Sequence, residues 1–106
     1  MSKYSEQFQV PLPQQETEVA VKEAIVNCGW GVKEQAPGRI VPRIGIGVIQ
    51  NPSSIETLVY GDSESTTITL NGRIMGFGPI QKRHITREVG KLRDAINAAV
   101  QQAGGR

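Results

Sequence analysis

The sequence predicts an α+β domain: an antiparallel sheet of four or five strands with two helices packed on one face, in the order β-α-β-β-β-β-α. Three observations carry this. Helical periodicity occurs twice, over residues 14–28 and 79–103. Between these segments lie several short runs rich in β-branched residues, divided by turn clusters. The length, 106 residues, suits one domain that buries about two-thirds of its unfolded surface. The whole chain, 1–106, is therefore read as a single unit, with 1–5 and 103–106 expected to be loosely ordered.

Composition narrows the class. One cysteine excludes an internal disulfide framework and any multi-cysteine zinc site. No run approaches the roughly 20 apolar residues that span a bilayer, so no membrane insertion is expected. The start, Met1-Ser2-Lys3-Tyr4-Ser5-Glu6, has no apolar signal-peptide core. A cytoplasmic location is the expectation.

Phe8-Gln9-Val10 alternates and is stopped by Pro11 and Pro13, which reads as a brief edge strand. Val21, Ala24, Ile25 and Cys28 then fall on one helical face. Pro13 suits the start of that helix, Glu16 and Glu18 suit the positive end of its dipole, and Gly29 suits its C-terminal stop. Trp30 to Gln35 reads as a strand with Trp30 as a core anchor. Ala36-Pro37-Gly38 is a turn. Arg39 to Gln50 alternates in part, with Pro42 interrupting it or forcing a bulge. Asn51-Pro52-Ser53-Ser54 turns, Ile55 to Gly61 is a strand, and Asp62-Ser63-Glu64-Ser65 turns again. Thr66 to Leu70 is a strand with Ile68 and Leu70 inward. Asn71-Gly72 is a hairpin signal. It is read here as a turn into a short strand over Arg73 to Phe77, the alternative being a strand that runs on through Met75. Ile85, Val89, Leu92, Ile96, Ala99, Val100 and Ala103 fall within a stripe about 100° wide, which marks the last helix as amphipathic.

The net charge, +2, is small, but its distribution is not even. Residues 73–93 hold six cations, Arg73, Lys82, Arg83, Arg87, Lys91 and Arg93, against the single acid Glu88. Residues 1–36 lean acidic. The molecule is expected to be polarised, with the cationic end facing an anionic partner.

Chemistry-bearing motifs are few. Gly45-Ile46-Gly47 and Gly76-Phe77-Gly78 are both Gly-x-Gly, but neither completes a nucleotide-binding fingerprint. No helix follows the first pair, so backbone crowding explains it. The second leads through Pro79 into a helix that opens with Lys82, Arg83, His84 and Arg87. Cations there oppose the helix dipole by roughly 0.3–1 kcal/mol each. Two readings stand: an anion receptor built from backbone N–H groups and basic side chains, or a solvated face on a helix that starts nearer Thr86. Arg83, Arg87 and Lys91, spaced by four, form a row away from the apolar stripe. Such a row could meet a nucleic-acid backbone, but no base-reading motif accompanies it. It could also meet an acidic membrane, although the helix's apolar face is needed for the core. Gly90 in mid-helix either admits another chain or is tolerated drift. Cys28 reads as a small buried hydrophobe, since nothing orients a Cys28–His84 pair and a helix C-terminus raises a thiol's pKa. His84 alone makes neither a zinc site nor a triad, and no metal or other cofactor is expected.

Phe8-Gln9-Val10-Pro11-Leu12-Pro13, Cys28-Gly29-Trp30-Gly31-Val32 and Gly76-Phe77-Gly78-Pro79-Ile80-Gln81, taken in order, resemble small uncharacterised bacterial α+β domains. Some of these are built like one half of the TATA-binding-protein fold, as also seen in outer-membrane assembly lipoproteins. The resemblance implies a fold rather than an activity. The chain departs from the lipoproteins in lacking a lipid-attachment cysteine near its start, and no functional residue is carried over.

The expectation is thus a non-enzymatic binding module. Its candidate site is Gly76, Gly78, Lys82, Arg83, Arg87 and Lys91, and its partner an anionic group, a protein or a second copy of the chain. Nucleic acid bound along the last helix is one alternative. A small molecule held between sheet and helices is the other.

Overall fold

A computed structural model describes residues 1–45 and 53–104. The elements are β1 (Ser2–Val10), α1 (Gln14–Asn27), β2 (Gly31–Ala36), β3 (Arg39–Arg43), β4 (Ser53–Gly61), β5 (Thr66–Ile74) and α2 (Pro79–Gly104). Among the described residues they form one five-stranded antiparallel sheet, ordered β1-β5-β4-β3-β2. The α+β architecture and element order are those the sequence predicts.

Period-two patterning decides which face is covered. Ile55, Thr57 and Val59 of β4 and Ile68, Leu70 and Ile74 of β5 are buried, while their neighbours along each strand are not. Ile85, Val89, Leu92 and Ile96 of α2 and Val21, Ala24 and Ile25 of α1 complete the core on that side. Both helices therefore lie on one sheet face, and the stripe read from the last helix is the one that is buried.

The ends of α1 follow from local chemistry. Pro13 is the N-cap, Thr17 N–H donates to its carbonyl at 2.9 Å, and Glu16 lies in the first turn. At the other end Gly29 N–H donates to Val26 O at 2.9 Å and Trp30 N–H to Ile25 O at 3.0 Å. With Gly29 at φ 83, this is a Schellman stop. The β4–β5 turn closes on Asp62, whose Oδ1 accepts from Glu64 N–H at 2.8 Å and Ser65 N–H at 3.0 Å. Those bonds hold the Asp62 carboxyl below its usual range.

Three expectations need correction. The strand expected at Phe8 begins at Ser2, because residues 2–10 pair in unbroken register with β5 and the polar side chains alternate outward. Asn71-Gly72 does not turn. It lies inside β5, where Asn71 pairs with both Ser5 and Glu56, and Gly72 with both Tyr4 and Ile55. A strand held on both sides leaves no room for a hairpin there. The bulge suspected at Pro42 sits opposite, in β2, where the register shifts between Val32 and Glu34. Ile46, Gly47 and Val48, expected on the same strand as Arg39, lie outside the described residues.

The open sheet face carries a ladder of polar contacts across all five strands. Gln7 Nε2 donates to Thr69 Oγ1 at 3.0 Å, Ser5 Oγ to Asn71 Oδ1 at 2.9 Å, and Asn71 Nδ2 to Glu56 Oε1 at 3.4 Å. Arg39 then bridges Glu56 at 2.8 Å and Glu34 at 2.7 Å. The Arg39 hydrogen bond holds the Glu56 carboxyl below the usual range, as it does that of Glu34. A carboxyl depressed on folding stabilises the fold above its unfolded pKa, and that contribution is lost as pH falls through the folded value. Thermal melts should therefore show stability falling below about pH 4, and Glu56→Gln should make that fall shallower. An unchanged acid limb in the variant would exclude this role for Glu56.

Candidate functional site

Gly76, Gly78, Lys82 and Arg83 lie at the corner where β5 gives way to α2, and Arg87 and Lys91 follow further along the helix. Gly76 and Gly78 have φ of 92 and 123, a region that side-chain-bearing residues rarely occupy. The Gln81 side chain folds back to within 3.4 Å of where a Cβ would stand at either glycine. The helix starts at Pro79, with Lys82 N–H donating to Gly78 O at 3.1 Å, and not near Thr86. Lys82 and Arg83 thus stand within its first turns, against the dipole, and no acid accompanies them in the first turn.

The cations are not equivalent. Lys82 is tethered: its ammonium donates to the Lys3 carbonyl and lies 5.6 Å from the centroid of the Tyr4 ring. Arg83 and Arg87 are exposed, one turn apart, and make no hydrogen bond or ion pair among the described residues. Lys91 is committed elsewhere. Its ammonium donates to Cys28 O at 3.1 Å and lies 5.2 Å from the Trp30 ring centroid, clasping α2 to the end of α1. Arg93 is likewise occupied, with Nη1 bonding both carboxylate oxygens of Glu6 at 2.8 and 2.9 Å. Lys91 and Arg93 are thus engaged away from the start of α2, and Arg83 and Arg87 are the exposed cations left along it.

Glu88 is the residue that sequence reasoning misjudged. By sequence it counts as the single acid against six cations in residues 73–93, yet only 8% of it is exposed. Its carboxylate accepts from Ser53 Oγ at 3.2 and 3.1 Å and pairs with His84 Nε2 one turn back. The signal that could have found it was its place three residues after Ile85 and four before Leu92, on the edge of the apolar stripe. Residues 73–87 contain no acid, and the next one along the chain, Glu88, is buried.

Cys28 is buried in the core, and burial pushes its thiol pKa up. Its sulfur faces the Lys91 carbonyl, and His84 is engaged with Glu88, so the two are not paired. A pocket between sheet and helices finds no room at Gly72, where a Cβ would stand 2.6 Å from Val89 Cγ2 and 2.9 Å from Ile85 Cγ1. A groove of ≈ 330 Å³ opens on the uncovered sheet face, beside Lys3, Arg39, Glu56 and Arg73, and a cleft of ≈ 650 Å³ lies between α1 and the β2–β3 turn, beside Gln14, Glu18 and Gln35. At Gly90 a Cβ would meet only the flexible end of Arg93 at 3.5 Å, so nothing in the fold requires glycine. Gly90→Ala should raise stability by about 1 kcal/mol in urea unfolding. A loss would mean that another chain packs there.

No protein-family model matches the chain, and no curated protein matches it in sequence. The fold is similar to that of TTHA0849 from Thermus thermophilus, with TM-score 0.51 and 12% identity over 95% of this chain and 98% of that one. It is similar also to Ara h 8.0201, with TM-score 0.52 and 9% identity over 94% of this chain and 97% of that one. These likenesses carry a compact α+β fold. They do not confirm the finer resemblance to TATA-binding-protein-like or lipoprotein-like domains, and at these identities they carry no activity.

Proposed function

We propose that the chain is a non-enzymatic binding module that docks an anionic group at the β5–α2 corner. The observation that supports this most is the pair Arg83 and Arg87: exposed, one turn apart, unpaired among the described residues, and in a stretch whose next acid, Glu88, is buried. Lys82 and the backbone of Gly76 and Gly78 flank them. Guanidinium groups free of internal carboxylates keep their forked donors for phosphate or carboxylate oxygens. The cost of cations near a helix N-terminus is offset when an anion arrives.

The test is an NMR titration of the full chain with inorganic phosphate. Amides of residues 76–84, together with Arg87, should shift selectively and saturably, and Arg83→Ala with Arg87→Ala should remove the effect. Shifts scattered over the surface, or none, would reject the reading.

A further inference from the structure

Large apolar side chains stand in water at this same corner. Phe77 is 82% exposed, Ile80 76% and Met75 67%. Single exposed hydrophobes are ordinary, but three within six residues form a patch that asks for a partner. They flank the bend that the two left-handed glycines and Pro79 make between the end of β5 and the start of α2.

The corner is braced by polar contacts from β1. Ser2 Oγ donates to Gly76 O at 3.3 Å, and the Lys82 ammonium reaches the Lys3 carbonyl, which fastens the start of β1 to the corner. Lys3 lies directly opposite Arg73 in the β1–β5 pairing, an arrangement that like charges disfavour. On α2, Arg83 and Arg87 stand three and seven residues after Ile80, on the same helical face, whereas Lys3 and Arg73 belong to the uncovered sheet face beside Glu56. The apolar face of α2 is consumed by the core, as the sequence implies, but Met75, Phe77 and Ile80 are not.

We propose that this corner docks peripherally on an anionic lipid surface, with Phe77 and Ile80 entering the headgroup region and the Arg83 and Arg87 guanidinium groups meeting lipid phosphates and carboxylates. The proposal rests on the anion-docking reading and names its partner. Exposed apolar side chains beside the exposed guanidinium groups of Arg83 and Arg87 fit an interface that is greasy below and negative above. A second copy placed head to head would set the same cations against each other. Among the described residues no helix is long and apolar enough to cross a membrane, so the contact is one of surface attachment.

Co-sedimentation of the full chain with vesicles tests this. The chain should pellet with mixed phosphatidylcholine–phosphatidylserine vesicles and stay in solution with phosphatidylcholine alone. Arg83→Ala combined with Arg87→Ala should weaken binding about thirtyfold, at roughly fivefold per cation. Phe77→Ser should weaken it about tenfold. In Phe77→Trp, the emission of the new indole should move to shorter wavelength on the mixed vesicles only. A chain that stays in the supernatant at low salt, or a Phe77→Ser variant that pellets like the parent, overturns lipid docking. If phosphate still shifts the corner amides in that case, the anion-docking reading survives alone; if it does not, both fall. Self-association in light scattering without vesicle binding would give the corner to a second copy and overturn the proposal.

Discussion

Gly72→Ala should lower the stability of the fold by about 2–3 kcal/mol, the range expected when an extra methyl is forced into a packed core. The added Cβ would stand 2.6 Å from Val89 Cγ2 and 2.9 Å from Ile85 Cγ1. Neither neighbour can swing clear, because both are fully buried, and Val89 is β-branched and held in a helix rotamer. Relief would require α2 to lift away from β5, which opens space around Leu92 and Leu70 and loses further contacts. Urea unfolding checks the sum, and a double-mutant cycle with Val89→Ala checks the cause. The second substitution removes the nearest methyl, so the two changes together should cost at least about 1 kcal/mol less than their separate costs added. Additive costs would place the damage elsewhere in β5.

Thr57→Val should raise stability by about 1–2 kcal/mol. Thr57 is fully buried in β4, opposite Ile40 of β3 and Leu70 of β5. Among the described residues its hydroxyl has no hydrogen-bond partner, so the folded state carries the desolvation cost of a polar group with nothing in return. Valine keeps the shape, the branching at Cβ and the strand preference while removing the stranded oxygen. The midpoint of urea unfolding should move up with no change in slope. A lower midpoint would show that the hydroxyl is satisfied in solution.

Gly72 also shows why part of the fold could be read from sequence and part could not. Asn-Gly is a local turn signal, and a local reading weighs only what two residues allow. In β5 the same glycine is there because a helix from further along the chain lies on it, a constraint invisible in a short window. The stripe Ile85, Val89, Leu92 and Ile96 was legible because periodicity is itself local information, and so was the stop at Gly29. The start of β1 was not legible: Ser2 to Gln7 alternate mostly among polar residues, and only pairing with β5 holds them extended.

The candidate corner divides in the same way. The glycine pair, Pro79 and the basic run could be read from spacing. That Lys91 is spent on Cys28 and Trp30, and Arg93 on Glu6, depends on neighbours distant in sequence. The burial of Glu88 likewise depends on Ser53, 35 residues away in sequence, as well as on His84.

The pairing of the first strand with the fifth has a consequence for the order in which the chain acquires its shape. Ser2 meets Ile74 and Val10 meets Thr66, so the opening strand has no partner until most of the polypeptide exists. During synthesis it must wait while the β4–β5 ribbon is made, and α2, which follows last, seals β1 and β5 from one side. Such late closure places the domain among the slower small folders, in milliseconds or longer by the scale on which distant contacts retard folding. A chain halted before residue 66 would leave β1 as an unpaired ribbon, a ready target for chaperones.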